Sequence, residues 1–286
     1  MPIIKNVRTI VVQEINLLTA FSWRDHSAST IVGAIVSLGA MLNASRAQAH
    51  IVPNILSGYL FLIPWLTSYL YFFNLSNQIV GVEEDRINKP DRPIPSGNVT
   101  IRGARVRQAI SFGVFLALGL ARPRLLPETL VWMLTTAFLC HTKAGNHWAG
   151  KNSIAMPIGG WALLSGSWKA VALMKPNPIV HHQMVALCLW GGLLTHIQDL
   201  RDVEGDRVVG RKTLPIAFGE ERSRRIIVFL LSPFAIVALW MGDVLQTAPL
   251  TVLGLHAFLG WRVLRGKDAR YDHKTYMVSW HPLHQK

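Results

Sequence analysis

The aspartates of Asp199-Leu-Arg-Asp202-Val-Glu-Gly-Asp206 fall at i, i+3 and i+7. On one continuous helix that spacing stacks three carboxylates on a single face. Stacked like charges repel, so a cation belongs among them, and Mg²⁺ suits: it binds through one or two carboxylates plus phosphate oxygens and water. A solvated helix end pairing with Arg201, Arg207 and Arg211 is the plainer alternative, but it does not require all three aspartates on one stripe. A second cluster holds Asn77, Glu83, Glu84 and Asp85. Asn77, Gly81 and either Glu84 or Asp85 share a helix face, so an amide and one or two carboxylates could hold a second Mg²⁺. Upstream, Trp65, Tyr69 and Phe73 come at steps of four and lead to Asn77. Their rings either stabilise a carbocation there or simply pack between helices. Arg92, Lys151 and Arg211 or Lys212 can reach a diphosphate that metals already clamp. His196, one turn before Asp199, suits a supporting hydrogen bond better than a base.

The elements that must position these groups are apolar helices. Half of the 286 residues are hydrophobic and only 16% are charged, against roughly 25% in an average soluble domain. Long apolar runs alternate with short basic stretches, as in a chain that crosses a bilayer repeatedly. The net charge of +13 would suit nucleic acid, but the basic residues are cut into blocks between apolar runs, so no nucleic-acid partner is expected. At roughly 20 residues per span, eight hydrophobic helices are predicted near 27–45, 51–76, 108–121, 125–141, 153–174, 178–198, 226–245 and 248–264. Segment 7–23 has apolar residues at helical spacing and is expected to lie along the interface. With a cytoplasmic N-terminus, all but Arg46, Arg122, Arg124, Lys169 and Lys175 of the 29 Lys and Arg residues fall on the cytoplasmic side, as the positive-inside rule requires. Cys140 and Cys188 lie in apolar runs without metal-ligand spacing, and the N-terminus lacks a cleavable signal pattern.

Internal repetition is visible. One predicted helix runs into Asn77…Asp85…Arg92-Pro-Ile-Pro-Ser-Gly97, another into Asp199…Asp206…Arg211-Lys-Thr-Leu-Pro215…Gly219. The echo suggests two four-helix repeats. The two stretches, NQIVGVEEDRINKPDRPIPSG and DLRDVEGDRVVGRKTLP, resemble the signature loops of the UbiA superfamily of intramembrane prenyltransferases, and the resemblance covers nearly the whole chain. It implies a helical bundle with a central cavity open laterally to lipid, and two Mg²⁺ ions bridging a prenyl diphosphate. Carried over by position, Asn77, Asp85, Asp199, Asp202 and Asp206 match metal or diphosphate positions, with Glu84 a further candidate ligand and Asp85, Asp202 and Asp206 taken as catalytic. Two departures stand out. The family usually has an aspartate four residues after the asparagine, where this chain has Gly81, so either Glu83 or Glu84 substitutes or one metal has fewer carboxylates. It also usually has nine spans, and after Lys274…Trp280 there is no room for a complete ninth.

These readings give an all-α polytopic membrane bundle of about eight transmembrane helices. One UbiA-like domain is expected over 1–286, with 1–26 a cytoplasmic or interfacial arm and 265–286 a short cytoplasmic tail. The expected chemistry is Mg²⁺-dependent ionisation of an isoprenoid diphosphate. With Gly81, the first motif looks most like those of fungal membrane-bound terpene cyclases, which implies cyclisation of farnesyl diphosphate to a sesquiterpene with release of pyrophosphate. Transfer of the prenyl group to an aromatic acceptor is the alternative. A transporter is the remote one, since transport sites lie near the bilayer midplane whereas these motifs sit at helix ends. The expected partners are the prenyl diphosphate and the lipid bilayer, with no obligate protein partner. The expected location is the endoplasmic reticulum membrane, both aspartate motifs facing the cytoplasm.

Overall fold

The protein is described here by a computed structural model covering residues 2–45, 52–171 and 176–280. Arg46 and Lys175, the ends of the predicted second and fifth spans, and residues 281–286 lie outside the described residues. The described residues are helical throughout: α1 (Pro2–Ser22), α2 (Thr30–Ser45), α3 (Val52–Val80), α4 (Val82–Asn88), α5 (Ile101–Ala121), α6 (Leu126–His141), α7 (Met156–Val171), α8 (Pro178–Asp199), α9 (Val203–Val208), α10 (Leu214–Phe218), α11 (Glu220–Ile226), α12 (Ser232–Met241), α13 (Pro249–Arg265) and α14 (Ala269–Trp280).

Helix starts follow local chemistry. Thr100 caps α5 by accepting from the Gly103 N–H at 3.1 Å, and Asn177 caps α8 by accepting from Val180 N–H at 2.8 Å. Pro127, Pro178 and Pro249 stand in first turns, where a missing N–H costs nothing. Once started, the long helices are apolar nearly all round. Leu134, Phe229 and Leu250 present outward with 70%, 68% and 87% of their surface exposed, as helices facing hydrocarbon do.

Every predicted span coincides with a helix. By length and composition, however, only Leu56–Val80, Ile101–Ala121 and Glu220–Met241 suffice to cross a membrane, among the described residues. The count rises to four if Val7–Asp25 and Thr30–Asn43, bent by 79°, form one broken span. The eight-span count is therefore not established. Four of the others, α2, α6, α7 and α13, have only 16 or 17 residues, and α8, with 22, falls short in composition rather than length.

The core on the α3–α6–α7 side is aromatic. Tyr69 stacks on Trp132 with centroids 4.2 Å apart, its hydroxyl donating to the Gly159 carbonyl at 2.9 Å. Trp65 Nε1 donates to Thr129 Oγ1 at 3.0 Å, and Trp132 Nε1 to the Tyr69 carbonyl at 2.8 Å. At one end of this core Arg122 donates to the Ala170 and Ser57 carbonyls, and Lys169 and Ser165 bond the buried Glu128. At the other end lie α4 and α9.

The positive-inside reading gives a direct test. Cysteines placed singly at the exposed positions Ser96 and Glu221, in a background lacking the buried Cys140 and Cys188, should both be modified by an impermeant maleimide from the cytoplasmic face. Modification from opposite faces would overturn the arrangement.

Candidate active site

The two motifs meet where α4 packs against α9. The approach is close because residue 205 has no side chain: a Cβ there would lie 2.3 Å from Asn88 Nδ2. Asn88 uses the gap to donate to the Asp202 carbonyl at 3.2 Å. One motif is thereby bonded to the other.

The three aspartates do not share a continuous helix face, which corrects the sequence reading. Helix α8 ends at Asp199, Asp202 stands just before α9, and Asp206 lies within α9. The break turns the carboxylates toward different cations. Nor are the arginines elsewhere. Arg201 Nε donates to Asp202 Oδ1 at 3.2 Å, and Arg211 Nη1 to Asp206 Oδ1 at 3.2 Å.

The first motif bends likewise. Helix α3 ends at Val80 and α4 starts at Val82, with Gly81 accepting from Asp85 N–H at 2.9 Å to keep the turn wound. Glu83 pairs with Arg86 at the surface. Glu84 is buried and pairs with Arg211 of the other motif. A Cβ on Gly81 would lie 3.4 Å from Glu84 Oε2 and 3.8 Å from the Arg211 guanidinium. Glu84 thus brings its carboxylate beside the place where a side chain at 81 would begin, which favours it over Glu83. Asp85 is gripped by Arg92, whose Nη1 donates to both carboxylate oxygens at 2.8 and 2.9 Å. The Asn77 side chain is half-buried, one turn above.

A third element completes the site. Residues Ala149–Ala155 form a wide π-helical stretch leading into α7. It aims three consecutive side chains at α8. Lys151 Nζ donates to Asp199 Oδ1 at 2.8 Å and Asn152 Nδ2 to Asp199 Oδ2 at 2.7 Å. Asn152 and Ser153 also bond the two nitrogens of His196, at 3.1 and 3.2 Å. His196 is fully buried and serves the supporting bond expected of it. Asn152 and Ser153 were not legible from sequence, since nothing marks a π-helical stretch in advance. Lys89 was also missed, although it lies inside the first motif. Its Nζ stands 3.8 Å from Glu84 and 3.5 Å from Asp202, bridging the halves.

The result is an alternation of charge. Each of the buried carboxylates Glu84, Asp85, Asp199, Asp202 and Asp206 has a partner among Lys89, Arg92, Lys151, Arg201 and Arg211. Lys212 instead tethers the loop before the π-helical stretch, its carbonyl accepting from the Trp148 N–H at 2.9 Å. Burial pushes the Asp85 carboxyl upward against the pull of Arg92. Burial also acts on Asp202, but Lys89, Arg201 and Lys151 outweigh it and bring that carboxyl down to about 2. Asp206 moves the other way: burial, aided by Glu84 and Asp199, pushes it up to about 6 against Lys151 and Arg211.

Whether these residues suit Mg²⁺ can be judged from the donors. All are hard oxygens, and Asp206 Oδ2 is buried without a hydrogen-bond partner. Among the described residues no three of His, Cys, Asp or Glu converge on one point, because cations stand between them. The donor set fits the ion. The aromatic stripe divides: Trp65 and Tyr69 are buried in the interhelical core, while Phe73 is only partly buried and lies 5.1 Å from Trp132.

The raised Asp206 carboxyl has a measurable consequence. A folded-state value above the unfolded one, near 3.9, means folding is favoured as pH falls and disfavoured as pH rises through about 6. Metal-free Asp206→Asn should therefore be more stable than the wild type at pH 8, by about 3 kcal/mol. That advantage should shrink toward pH 4 in thermal melts of the EDTA-treated, detergent-solubilised protein. A gain independent of pH would refute the assignment.

Comparison with known proteins supplies the family. The model of the UbiA prenyltransferase family matches residues 30–281. Among curated proteins, the diterpene cyclase eriG of Hericium erinaceus is 53% identical over 267 residues, 93% of this chain and 85% of that protein. The polyprenyl transferase eriF of the same organism is 54% identical over 267 residues, 93% of this chain and 91% of that one. Among solved structures, a UbiA homolog from Archaeoglobus fulgidus bound to GPP and Mg²⁺ superposes with a TM-score of 0.68 at 12% identity, covering 92% of this chain and 95% of that one; this likeness speaks to the fold. By the extent of the family match and the identity to these relatives, the chain belongs to the UbiA prenyltransferase family.

Proposed function

We propose that the protein ionises a prenyl diphosphate in the membrane and lets the resulting carbocation cyclise within its own chain, the last cation losing a proton to the released pyrophosphate. The observation that carries this reading is the buried alternation of carboxylates and cations joining α4 to α9 at one end of an apolar bundle. Such a lattice can exchange partners: the carboxylates take a metal, the cations take phosphate oxygens, and charge stays balanced throughout.

Glu84, Asp85, Asp199, Asp202 and Asp206, with the Asn77 amide, would hold Mg²⁺, two ions on the family pattern. When bound, Mg²⁺ neutralises charge as it develops on the departing pyrophosphate. The chain's own cations do the rest. Lys89, Arg92, Lys151 and Arg211 bind the diphosphate oxygens and orient the C–O bond that breaks, whose electron pair leaves with pyrophosphate. His196 keeps Asn152 directed at Asp199. Phe73 and Trp132 offer ring faces to the cation, with Tyr69 and Trp65 as the wall behind them. A dry aromatic wall excludes water from a cation that must survive rearrangement.

Farnesyl diphosphate is the chain length expected from sequence. The relative named a diterpene cyclase supports a twenty-carbon chain instead, and we take geranylgeranyl diphosphate as the substrate. Transfer to an aromatic acceptor is the second reading, favoured by the relative named a polyprenyl transferase. Both begin with the same ionisation. The eight helices are read as eight spans in two repeats. In support, each motif's following arginine turns back to its own aspartate, Arg92 to Asp85 and Arg211 to Asp206. The bundle is placed in the endoplasmic reticulum membrane with α4 and α9 toward the cytoplasm.

Membranes containing the protein should release pyrophosphate and a cyclic hydrocarbon from geranylgeranyl diphosphate without acceptor, and less from the farnesyl and geranyl compounds. EDTA, Asp85→Ala and Asp202→Ala should each remove most turnover, an effect of several kcal/mol on the barrier. Phe73→Leu should shift products toward linear or less cyclised terpenes while pyrophosphate release continues. If no hydrocarbon forms from any prenyl diphosphate but an added phenolic acid is prenylated, transfer replaces cyclisation. Full activity in EDTA would end the metal-dependent reading.

A further inference from the structure

Within the segment 265–286, expected from sequence to be a short cytoplasmic tail, Ala269–Trp280 forms α14, which packs on α8 and α13. Two anchors fix it. Arg224 holds the buried Asp272 through paired bonds of 2.8 and 2.6 Å. Arg262 donates to Thr275 Oγ1 at 3.2 Å, and its guanidinium lies 4.6 Å from the Tyr271 ring. Neither anchor involves the motifs.

The remaining contacts do. Arg201 belongs to the second motif, and its Nη1 lies 2.8 Å from His273 Nδ1. Its guanidinium carbon stands 4.7 Å from the Tyr276 ring centroid. Its Nε donates to Asp202 Oδ1 at 3.2 Å. Arg201 is thus held by a ring, a nitrogen and a carboxylate, two of the three supplied by α14. Asp202 needs that help. It stands between helices α8 and α9, and its side chain caps neither. Among the described residues its second oxygen meets only the longer contact of 3.5 Å to Lys89.

An arginine pinned on an aromatic face gives up rotamer freedom and presents its planar fork in one orientation. Here the remaining edge of that fork is turned to a candidate metal ligand. We propose that His273 and Tyr276 are positioning residues of the diphosphate site, holding Arg201 so that it fixes the Asp202 carboxylate in the orientation needed to bind the metal–diphosphate unit. The proposal rests on the diphosphate reading above. It assigns α14 a role in the site that neither motif encodes.

The test is calorimetric titration of the full-length purified protein with inorganic pyrophosphate in the presence of Mg²⁺, alongside thermal melts. Tyr276→Leu should weaken pyrophosphate binding about tenfold and His273→Ala by less, whereas Tyr276→Phe, which keeps the ring, should stay within about twofold of the wild type. Arg201→Ala combined with Tyr276→Leu should bind no more weakly than Arg201→Ala alone, because Tyr276 acts only through Arg201. Additive losses would overturn the proposal. So would unchanged affinity in Tyr276→Leu and in His273→Ala, whose exposed side chain can be removed without threatening the fold. Were the wild type itself to bind no pyrophosphate, the diphosphate reading would fail and this inference with it. Binding weakened by Arg201→Ala but by neither α14 variant would defeat this inference alone.

Discussion

A carboxylate taken out of water must find a counter-charge, and much of the structure around α4 and α9 follows from that requirement. The cost of a buried unpaired ion is several kcal/mol, and each motif meets it partly from within, Arg92 at Asp85 and Arg211 at Asp206, and partly from the other. Glu84 of the first finds Arg211 of the second. Asp202 of the second finds Lys89 of the first. The breaks at Gly81 and between Asp199 and Asp202 are the backbone's response, since a straight helix would point its carboxylates one way and leave some without a cation. The same requirement draws in the stretch before α7, where Lys151 meets Asp199.

Much of this was legible in the sequence, and what was not has identifiable causes. Hydrophobic runs located the long helices because their apolar character is continuous and their ends are marked by Pro127, Pro178 and Pro249. The meeting of the two acidic clusters was legible because aspartates are rare in such a chain and these fall together. The single carboxylate face failed because the i, i+3, i+7 rule presumes an unbroken helix, and Leu200–Asp202 breaks it. The choice between Glu83 and Glu84 stayed open for a related reason: adjacent residues on a short helix differ only in which way the turn faces. Sequence gave no hint of Asn152, and Lys89 looked like one more basic residue in a basic loop. Arg201 was read only as a charge partner at a solvated helix end, because His273 and Tyr276, which hold it, lie far along the chain.

The two ends of the bundle use charge differently. At the end remote from the motifs, Glu128 is fully buried and held by Lys169 and Ser165, and Arg122 closes on backbone carbonyls of other helices. That is fastening. At the motif end the cations and carboxylates are more numerous and alternate, the arrangement that the proposed exchange of partners needs. Between the ends, Tyr69, Trp132, Trp65 and Phe115 interlock without charge, giving a stiff aromatic floor against which such an exchange can occur.

The π-helical stretch at Ala149–Ala155 bears on how this chain can diverge. A wide turn of this kind accommodates an extra residue within a helix, and each residue of an ordinary helix turns the succeeding faces by about 100°. Losing one residue there would restore regular winding. It would also rotate the Lys151–Asn152–Ser153 triplet out of phase with α7, so that either the triplet or the glycine that receives the Trp132 ring, Gly159, must give up its place. An insertion or deletion in this stretch is therefore not neutral drift in a connector. It is a change of phase between the charged end of the molecule and its aromatic floor, one that homologous chains can tolerate only by compensating substitutions in both.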